Sequence, residues 1–308
     1  MGTYIIRRIL QMIPVGIGVT FFVFSIMHLT PGDPARIMAG EAARPEVIEA
    51  LRYQLGLDDP FLVQYFRYLG RLVQGDLGNS VRGDNIPVVN LIFDSRFAIT
   101  FQLAIVATSV SILVGLIIGV IQATRKNSFI DTGMMLVTLG GMSMPVFWLG
   151  LLLINFFAVT LRILPVAGWG TLAHTVMPVI ALGTGSSAVI ARMTRASLIE
   201  VLDQDYIRTA YAKGISETKI IYKHALRNAL IPVITLMGLQ FGGLLAGAVV
   251  TETIFAINGM GRLVIDSIRQ QDFPVVQGGI LIFSISFMVV NLLVDVSYRL
   301  INKRIDYS

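Results

Sequence analysis

The sequence predicts an all-α integral membrane protein with about six transmembrane helices. Hydrophobic residues make up 55% of the 308 positions and charged residues only 14%, and the mean hydropathy is +0.74. Ordinary soluble domains carry about 25% charged residues. The hydrophobic residues are concentrated in long stretches that are nearly free of charge. The chain is therefore better measured in bilayer crossings of about 20 residues than in soluble domains.

The first apolar stretch, 9–29, follows Arg7 and Arg8 and is long enough to cross a hydrocarbon core of about 30 Å. A basic pair before an apolar run also begins secretory signal peptides. This stretch exceeds the about 7–15 residues of a signal-peptide core, and no small-x-small cleavage site follows it. We therefore expect it to be retained as a membrane anchor.

The remaining predicted spans share the same length and low charge; they are 98–124, 132–161, 175–191, 230–250 and 278–298. The span predicted at 132–161 is expected to end before Leu161. Pro145 and Pro178 each remove a backbone hydrogen bond from a predicted helix and so predict a kink.

Glycines four residues apart predict close helix–helix contacts, because small residues let backbones approach each other in lipid. The pairs are Gly115 with Gly119, Gly238 with Gly242, and Gly243 with Gly247.

The distribution of Lys and Arg predicts the orientation, because these residues concentrate in short cytoplasmic segments. With the N terminus inside, the cytoplasmic segments carry Arg7, Arg8, Arg125, Lys126, the basic residues of 192–227, Arg299, Lys303 and Arg304. The two short outer loops carry only Arg162, Arg262 and Arg269. Both termini are therefore predicted to be cytoplasmic. The net charge of +5 follows from this topology, since no single basic patch interleaved with aromatics indicates nucleic-acid binding.

Two long segments between spans complete the predicted organisation. Residues 1–29 form the tail and first helix, 30–97 an extracytoplasmic insertion, and 98–308 a five-helix core with an inner loop at 192–228. The insertion contains a turn at 31–34 and an amphipathic pattern over 45–55. The inner loop has helical spacing broken at Gly214, which predicts a short helix lying across the cytoplasmic face.

The inner loop resembles the cytoplasmic EAA loop of ABC importer permeases. Its core reads Arg208-Thr209-Ala210-Tyr211-Ala212-Lys213-Gly214, similar to the Arg-Thr-Ala-x-Ala-Lys-Gly form of the peptide importers. Arg208 and Thr209 replace the generic Glu and Ala, and Arg227 stands where many sugar permeases have proline. Both departures, and the sequence of 223–229, resemble the peptide branch.

Further motifs extend the resemblance along nearly the whole chain: Pro31-Gly32-Asp33-Pro34, Gln54-Leu55-Gly56-Leu57-Asp58, Gly75-Asp76-Leu77-Gly78, Pro145-Val146-Phe147-Trp148-Leu149-Gly150 and Gly259-Met260-Gly261-Arg262-Leu263. They are similar to the first of the two permeases in dipeptide, oligopeptide, glutathione and nickel importers. Positions 35–36 and 237–252 are most similar to the glutathione importer permease.

The resemblance implies an ABC type I importer permease fold in the bacterial inner membrane and half of a translocation pathway for peptides, namely dipeptides, oligopeptides or glutathione. It implies a second homologous permease, one or two ABC ATPase subunits and an extracytoplasmic substrate-binding protein as partners, with membrane lipid around them. The chain has no Gly-x-x-x-x-Gly-Lys-Ser/Thr phosphate loop, so ATP and Mg are expected on the partner ATPase, with no cofactor in this chain.

The resemblance also implies site residues. The loop that couples to the ATPase comprises Asp205, Tyr206, Arg208, Thr209, Ala210, Tyr211, Ala212, Lys213 and Gly214. Thr209, Ala210 and Gly214 are expected to provide close packing and the turn, and Arg208 and Lys213 to contact the ATPase or acidic lipid headgroups. From its position at the outer end of the fifth predicted span, Glu252 could meet substrate or equally be solvated. Together with Gly259, Gly261 and Arg262, it is expected at an outer gate or along the pathway.

Three alternatives remain open from the sequence. A permease of this family could carry nickel or another small solute. An intramembrane enzyme would need a catalytic motif, whereas His28, His174 and His224 lie far apart and the chain has no cysteine. An ion-coupled secondary transporter would need buried acidic residues, and Asp295 is expected to pair with Arg299 one helical turn later.

Overall fold

The computed structural model describes residues 2–29, 33–40, 43–82 and 85–301, without the side chains at 2–4, 27, 34, 38, 55 and 297–301. Within these ranges the secondary structure is α-helical with two π-helical segments, and β-structure is limited to one bridge between Asn79 and Pro87. The predicted all-α fold class is confirmed. The start of the predicted turn at 31–34 and the side chain of Arg299 lie outside the described parts.

Fourteen α-helices occur within the described residues. They are α1 (Gly2–Leu29), α2 (Pro34–Ala39), α3 (Pro45–Leu55), α4 (Phe61–Val73), α5 (Val88–Phe93), α6 (Arg96–Thr124), α7 (Phe129–Ser143), α8 (Val146–Leu153), α9 (Leu172–Leu202), α10 (Asp205–Ala212), α11 (Glu217–Lys219), α12 (Leu226–Ile254), α13 (Met260–Arg269) and α14 (Phe273–Ile301). The π-helical segments are Ile154–Thr160, which continues α8, and Ile220–Ala225, which joins α11 to α12.

Within the described residues, five helical segments are long and apolar enough to cross a membrane: Ile5–Ile26, Val88–Thr124, Leu172–Leu202, Glu217–Ile254 and Phe273–Val296. They correspond to five of the predicted spans. A sixth candidate is a pair of helices, Phe129–Ser143 and Val146–Thr160, which are bent by 105°. The predicted number of about six is therefore confirmed when this bent pair counts as one span.

The bend lies at the predicted position of Pro145 but is far larger than a kink. The N–H of Met144 donates the last hydrogen bond of α7, to the Gly140 carbonyl oxygen. Met144 itself has an extended backbone with ψ 122°, and the helix ends there. A residue before proline is pushed out of the helical region by the proline ring, so the helix stops and restarts after Pro145. By contrast, Pro178 lies inside α9 and does not end it.

Helix α9 is longer than predicted. It ends at Leu202, whereas the sequence placed the end of this span near Ala191 and assigned the next residues to the inner loop. Arg192 and Arg195 suggested a loop, but Thr194 and Leu198 of the same segment are completely buried. The helix continues because its other face still packs against neighbouring helices.

The chain divides into two compact units, Met1–Ile99 with Asn258–Met288, and Thr100–Ile257 with Val289–Ser308. The first unit has a core around Val88, Ile92, Met260 and Val275. Its 76–82 segment is fixed by Asp272, a buried carboxylate that accepts hydrogen bonds from the Ser80 hydroxyl and from the Val81 N–H. The amphipathic pattern predicted at 45–55 is helix α3.

In the second unit, α6 and α9 approach each other closely at two of the predicted glycines. A Cβ added to Gly115 would lie 2.7 Å from the Ser187 carbonyl oxygen, and one added to Gly119 would lie 2.5 Å from Thr194 Cβ. Both distances are shorter than real contacts permit, so only glycine fits. Gly238 against Val294 and Gly247 against Leu182 are similarly confined, whereas Gly243 faces open space.

The close contact at Gly119 leads to a stability prediction. Gly119→Val should lower the free energy of unfolding by about 1–3 kcal/mol, because the new side chain must push Thr194 away. Gly140→Val is the matched control, since Gly140 also lies in a helix and nothing lies within 4 Å of its added Cβ. Thermal unfolding of the detergent-solubilised protein measures both, and equal transition temperatures for the two variants would contradict the packing assignment.

Candidate functional site

The segment singled out by the sequence forms a short helix followed by a glycine turn. Helix α10 has eight residues and is followed by Lys213 and Gly214. Gly214 has φ +72°; its N–H donates to the Tyr211 carbonyl oxygen and the Ile215 N–H to that of Ala210. This left-handed turn favours glycine because a Cβ is strained there. The predicted arrangement of helix, glycine break and a second segment that leads into a span is confirmed.

One face of α10 is anchored on the ends of spanning helices. Ile207 is completely buried and Ala210 nearly so. They belong to a hydrophobic cluster that also contains Val120, Ala123, Leu198, Ile220, Ile221, Ala225 and Ala229. These residues come from the end of α6, the end of α9 and the π-helical start of α12. A hydrogen bond of 2.8 Å from the Asn228 side-chain amide to the Tyr206 hydroxyl adds a polar tie.

The opposite face of α10 presents charged and aromatic side chains to solvent. Arg208 is 74% exposed and lies 3.6 Å from Asp205 in an ion pair within the helix. Tyr206, Tyr211 and Lys213 are also exposed. Tyrosine and arginine on an otherwise fixed surface are the residue types most enriched at protein–protein interfaces. The arrangement is chemically suited to binding another protein.

The structure separates the predicted loop residues by role. Ala210 packs inward and Gly214 makes the turn, as the resemblance implied. Thr209 is exposed, and its hydroxyl donates to the Asp205 carbonyl oxygen at 3.0 Å instead of packing against the bundle. The sequence analysis missed Ile207, although its spacing of three residues from Ala210 marks the same helical face.

The sequence analysis also missed a buried ion pair beside this loop. Asp131 near the start of α7 accepts hydrogen bonds from Arg195 Nε at 2.8 Å and from a terminal guanidinium nitrogen at 2.7 Å. Its side chain is only 3% exposed. The Asn127 N–H donates to the same carboxylate, and Ser128 caps the helix by accepting from the Asp131 N–H. A carboxylate in so apolar a segment is stable only when it is paired in this way.

This ion pair joins α7 to the part of α9 that leads into α10. Arg195 lies about two helical turns before the end of α9 at Leu202, and α10 begins shortly after. A displacement of α10 and the end of α9 would therefore also act on α7. The signal in the sequence was a lone acidic residue at the start of an apolar span, together with arginines in the next span.

Removal of one charge should destabilise the second unit. Asp131→Asn leaves the Arg195 guanidinium without its counter-charge, and we expect the free energy of unfolding to fall by the lower end of about 3–5 kcal/mol, since Arg195 keeps 22% exposure. Thermal unfolding in detergent measures this change.

Two variants make the test specific. Asp205→Asn removes an exposed partner from an ion pair of the same kind and should leave the transition unchanged. The double variant Asp131→Asn, Arg195→Gln removes both charges and should be more stable than Asp131→Asn alone. If Asp131→Asn unfolds like the wild type, the ion pair does not hold the two helices together.

The predicted gate residues occupy different surroundings. Glu252 is completely buried near the end of α12 and accepts a hydrogen bond from the Thr100 hydroxyl, so it is not simply solvated. Gly259 precedes α13 with an extended backbone, and Gly261 is buried in that helix. Arg262 forms an ion pair with Asp266 at 3.5 Å. A gating role for these four residues stays a prediction.

Two of the three histidines have local partners for their side chains. His28 contacts the Phe24 carbonyl oxygen and the Gln64 side chain, and His174 contacts the Thr171 hydroxyl. Among the residues that the structure describes, no group of three His, Asp or Glu side chains could hold a metal ion.

A membrane-spanning helical bundle with a short loop helix packed on its helix ends is the architecture of an ABC importer permease. Solved structures with this fold include the inward-facing MetNI methionine ABC transporter, which is 18% identical, with a TM-score of 0.56 over 68% of this chain and 96% of that one. An amino acid ABC transporter solved with histidines is 19% identical, with a TM-score of 0.52 over 69% of this chain and 94% of that one. At these identities the similarity concerns the fold alone.

The sequence comparisons identify the family. Residues 111–307 match the family described as binding-protein-dependent transport system inner membrane component, and residues 1–111 match its N-terminal component. The chain belongs to this family. It is 46% identical to the glutathione transport system permease proteins GsiC of Escherichia coli K12 and of Shigella dysenteriae serotype 1, over 100% of each chain.

Family membership fixes the general character of the protein. It is a multi-pass inner-membrane permease and not an enzyme, and it works with the other components of an ABC importer. The resemblance drawn from the loop motif is therefore confirmed.

Proposed function

We propose that this chain is one of two permease subunits of an ATP-driven importer of glutathione or other short peptides. The observation that carries the proposal is 46% identity over the full length of permeases that are named for glutathione transport. Because the identity extends over the full length of both chains, it is consistent with this chain and these relatives sharing the same spans, the same insertion and the same loop. A second homologous permease would supply the other half of the pathway, and an extracytoplasmic binding protein would deliver the substrate.

The orientation in this proposal places the α10 loop and both termini in the cytoplasm. The basic residues support it, because the segments on that side hold most of the short-loop Lys and Arg. One or two separate ABC ATPases would then bind ATP and Mg and contact α10 from the cytoplasm. The absence of a phosphate-loop motif in this sequence agrees with that division of labour.

The packing of α10 supports its role in coupling. Ile207 and Ala210 hold the helix against α6, α9 and α12, so a force on its exposed face moves the spanning helices instead of bending a flexible loop. Asp205, Tyr206, Arg208, Thr209, Tyr211, Ala212 and Lys213 form the exposed docking face, and Gly214 ends the helix where the chain turns.

At the other end of the pathway, Glu252, Gly259, Gly261 and Arg262 remain our candidates for the outer gate. The support is chemical. Glu252 is a buried carboxylate at the end of a spanning helix, and ionisable residues so placed are costly and are retained mainly for function.

The docking role can be tested at exposed positions. Arg208→Glu and Tyr211→Ala should each abolish most ATP-driven uptake and substrate-stimulated ATP hydrolysis in the reconstituted complex. Loss of an aromatic or arginine anchor from an interface costs about 2 kcal/mol or more, equivalent to about 30-fold weaker binding. Thermal unfolding of the isolated permease should not change, because neither side chain is buried.

Arg162→Glu is the matched control, since it makes the same charge change on an exposed arginine of the loop before α9. Uptake should persist in this variant. Wild-type uptake and ATP hydrolysis in both α10 variants would show that this face does not contact the ATPase.

The substrate can be tested with the complete importer and its cognate binding protein in proteoliposomes. Labelled glutathione should accumulate only with internal ATP, and excess unlabelled glutathione should suppress that accumulation. Nickel ions and a tetrapeptide are the comparison solutes. Accumulation of nickel without glutathione would overturn the peptide assignment and leave the permease fold untouched.

A further inference from the structure

Helix α4 belongs to the insertion that hydropathy places outside the membrane, yet it packs against the middle of the first span. The Tyr65 hydroxyl donates to the Ile17 carbonyl oxygen at 3.2 Å and lies 3.0 Å from the Thr20 hydroxyl. Ile17 and Thr20 are inside the apolar span Ile5–Ile26. The contact therefore lies well away from the end of that span.

An aromatic cluster extends this contact along α1. Phe24 packs against Phe61 and Tyr65, and it stacks on Tyr68 with ring centroids 5.4 Å apart. Tyr65 and Tyr68 are both buried. One face of α4 is thus fully occupied by α1.

The depth of α4 follows from the geometry of α1. At a rise of about 1.5 Å per residue, Ile17 lies about 13 Å along the helix axis from the end of the span at Ile26. Half of a hydrocarbon core is about 15 Å thick. Tyr65 therefore reaches close to the centre of the bilayer, and α4 lies at the depth of the leaflet at the C-terminal end of α1.

A second face of α4 is apolar and exposed. Leu62, Phe66 and Val73 are 59%, 66% and 88% exposed. At about 100° per residue their positions fall within an arc of about 40° beside the face that packs on α1. Arg67 and Arg71 project from the far side of the helix, and Arg67 pairs there with Asp59.

We propose that α4 is a lipid-embedded helix, in which Leu62, Phe66 and Val73 contact acyl chains while Arg67 and Arg71 lie toward the headgroups. We assign lipid as the partner of this stripe because the stripe lies at the same depth as the exposed apolar surface of α1, where Ile13 and Phe22 are also uncovered. A helix with one apolar face and arginines on the other is typical of a membrane interface. The insertion would then be fastened to the membrane instead of standing free of it.

The absence of cysteine from the sequence allows a direct test. Nitroxide labels are attached to single variants Leu62→Cys, Phe66→Cys and Val73→Cys in the full importer complex. The complex is reconstituted in vesicles of phosphatidylethanolamine and phosphatidylglycerol, and background labelling of the partner chains is subtracted with the unsubstituted permease. Arg67→Cys and Gln74→Cys on the other side of α4 are the matched controls, and Phe22→Cys on α1 is a reference for depth.

The labels at 62, 66 and 73 should collide more with oxygen, which concentrates in lipid, than with a water-soluble nickel chelate. The ratio should be reversed at 67 and 74. Frequent collisions with the chelate at 62, 66 and 73 would show that the stripe faces water. Infrequent collisions with both reagents would show that another protein chain covers it, and either result would overturn the proposal.

Discussion

The packing of Ile207 and Ala210 between the ends of α6, α9 and α12 determines what the rest of the second unit can do. It converts a loop of eight helical residues into part of a rigid body. Ile207 contributes the buried volume, and Ala210 lets the backbone of α10 approach the cluster. Because of this contact, a force on the exposed Arg208 and Tyr211 is transmitted to three spanning helices. Without it, these two residues would belong to a mobile connection.

Polar contacts inside apolar surroundings strengthen this body at a few points. The Asp131–Arg195 ion pair ties α7 to α9, and the Thr100 hydroxyl bonds to Glu252 of α12. Each polar group would be costly in such an environment without its partner. The same rule operates in the first unit, where Asp272 holds the 76–82 segment through Ser80 and Val81. The two units use the same chemistry to fix different connections.

Hydropathy and loop motifs predicted the spans and the short loop helix because both depend on local composition. The close contacts at Gly115, Gly119, Gly238 and Gly247 were also predictable, since close approach in lipid requires small residues, whereas the one predicted at Gly243 does not form. The 105° bend at Pro145 was not, because proline only interrupts the helix and the direction of the second half depends on packing, such as Gly150 against Phe255. The end of α9 was placed too early because arginines look like loop residues unless their partners are known.

Contacts between distant residues were the least predictable part of the site. Asp131 and Arg195 are 64 positions apart, and Tyr65 and Ile17 are 48 apart. Helix α4 has 13 residues, too few for a span, and its arginines lower its average hydropathy. A hydropathy average over the length of a span therefore assigns α4 to the extramembrane insertion, although its contacts lie at membrane depth.

The contact of α6 with α9 at Gly115 and Gly119 has a mechanical consequence. Ile190 packs into the space beside Gly115, and Thr194 packs into the space beside Gly119. Sliding one helix along the other would drive these side chains into the adjacent turns, and interiors as dense as a protein core resist such compression. We therefore expect α6 and α9 to move together as one rigid unit. The helix contacts that change during a transport cycle would then lie elsewhere.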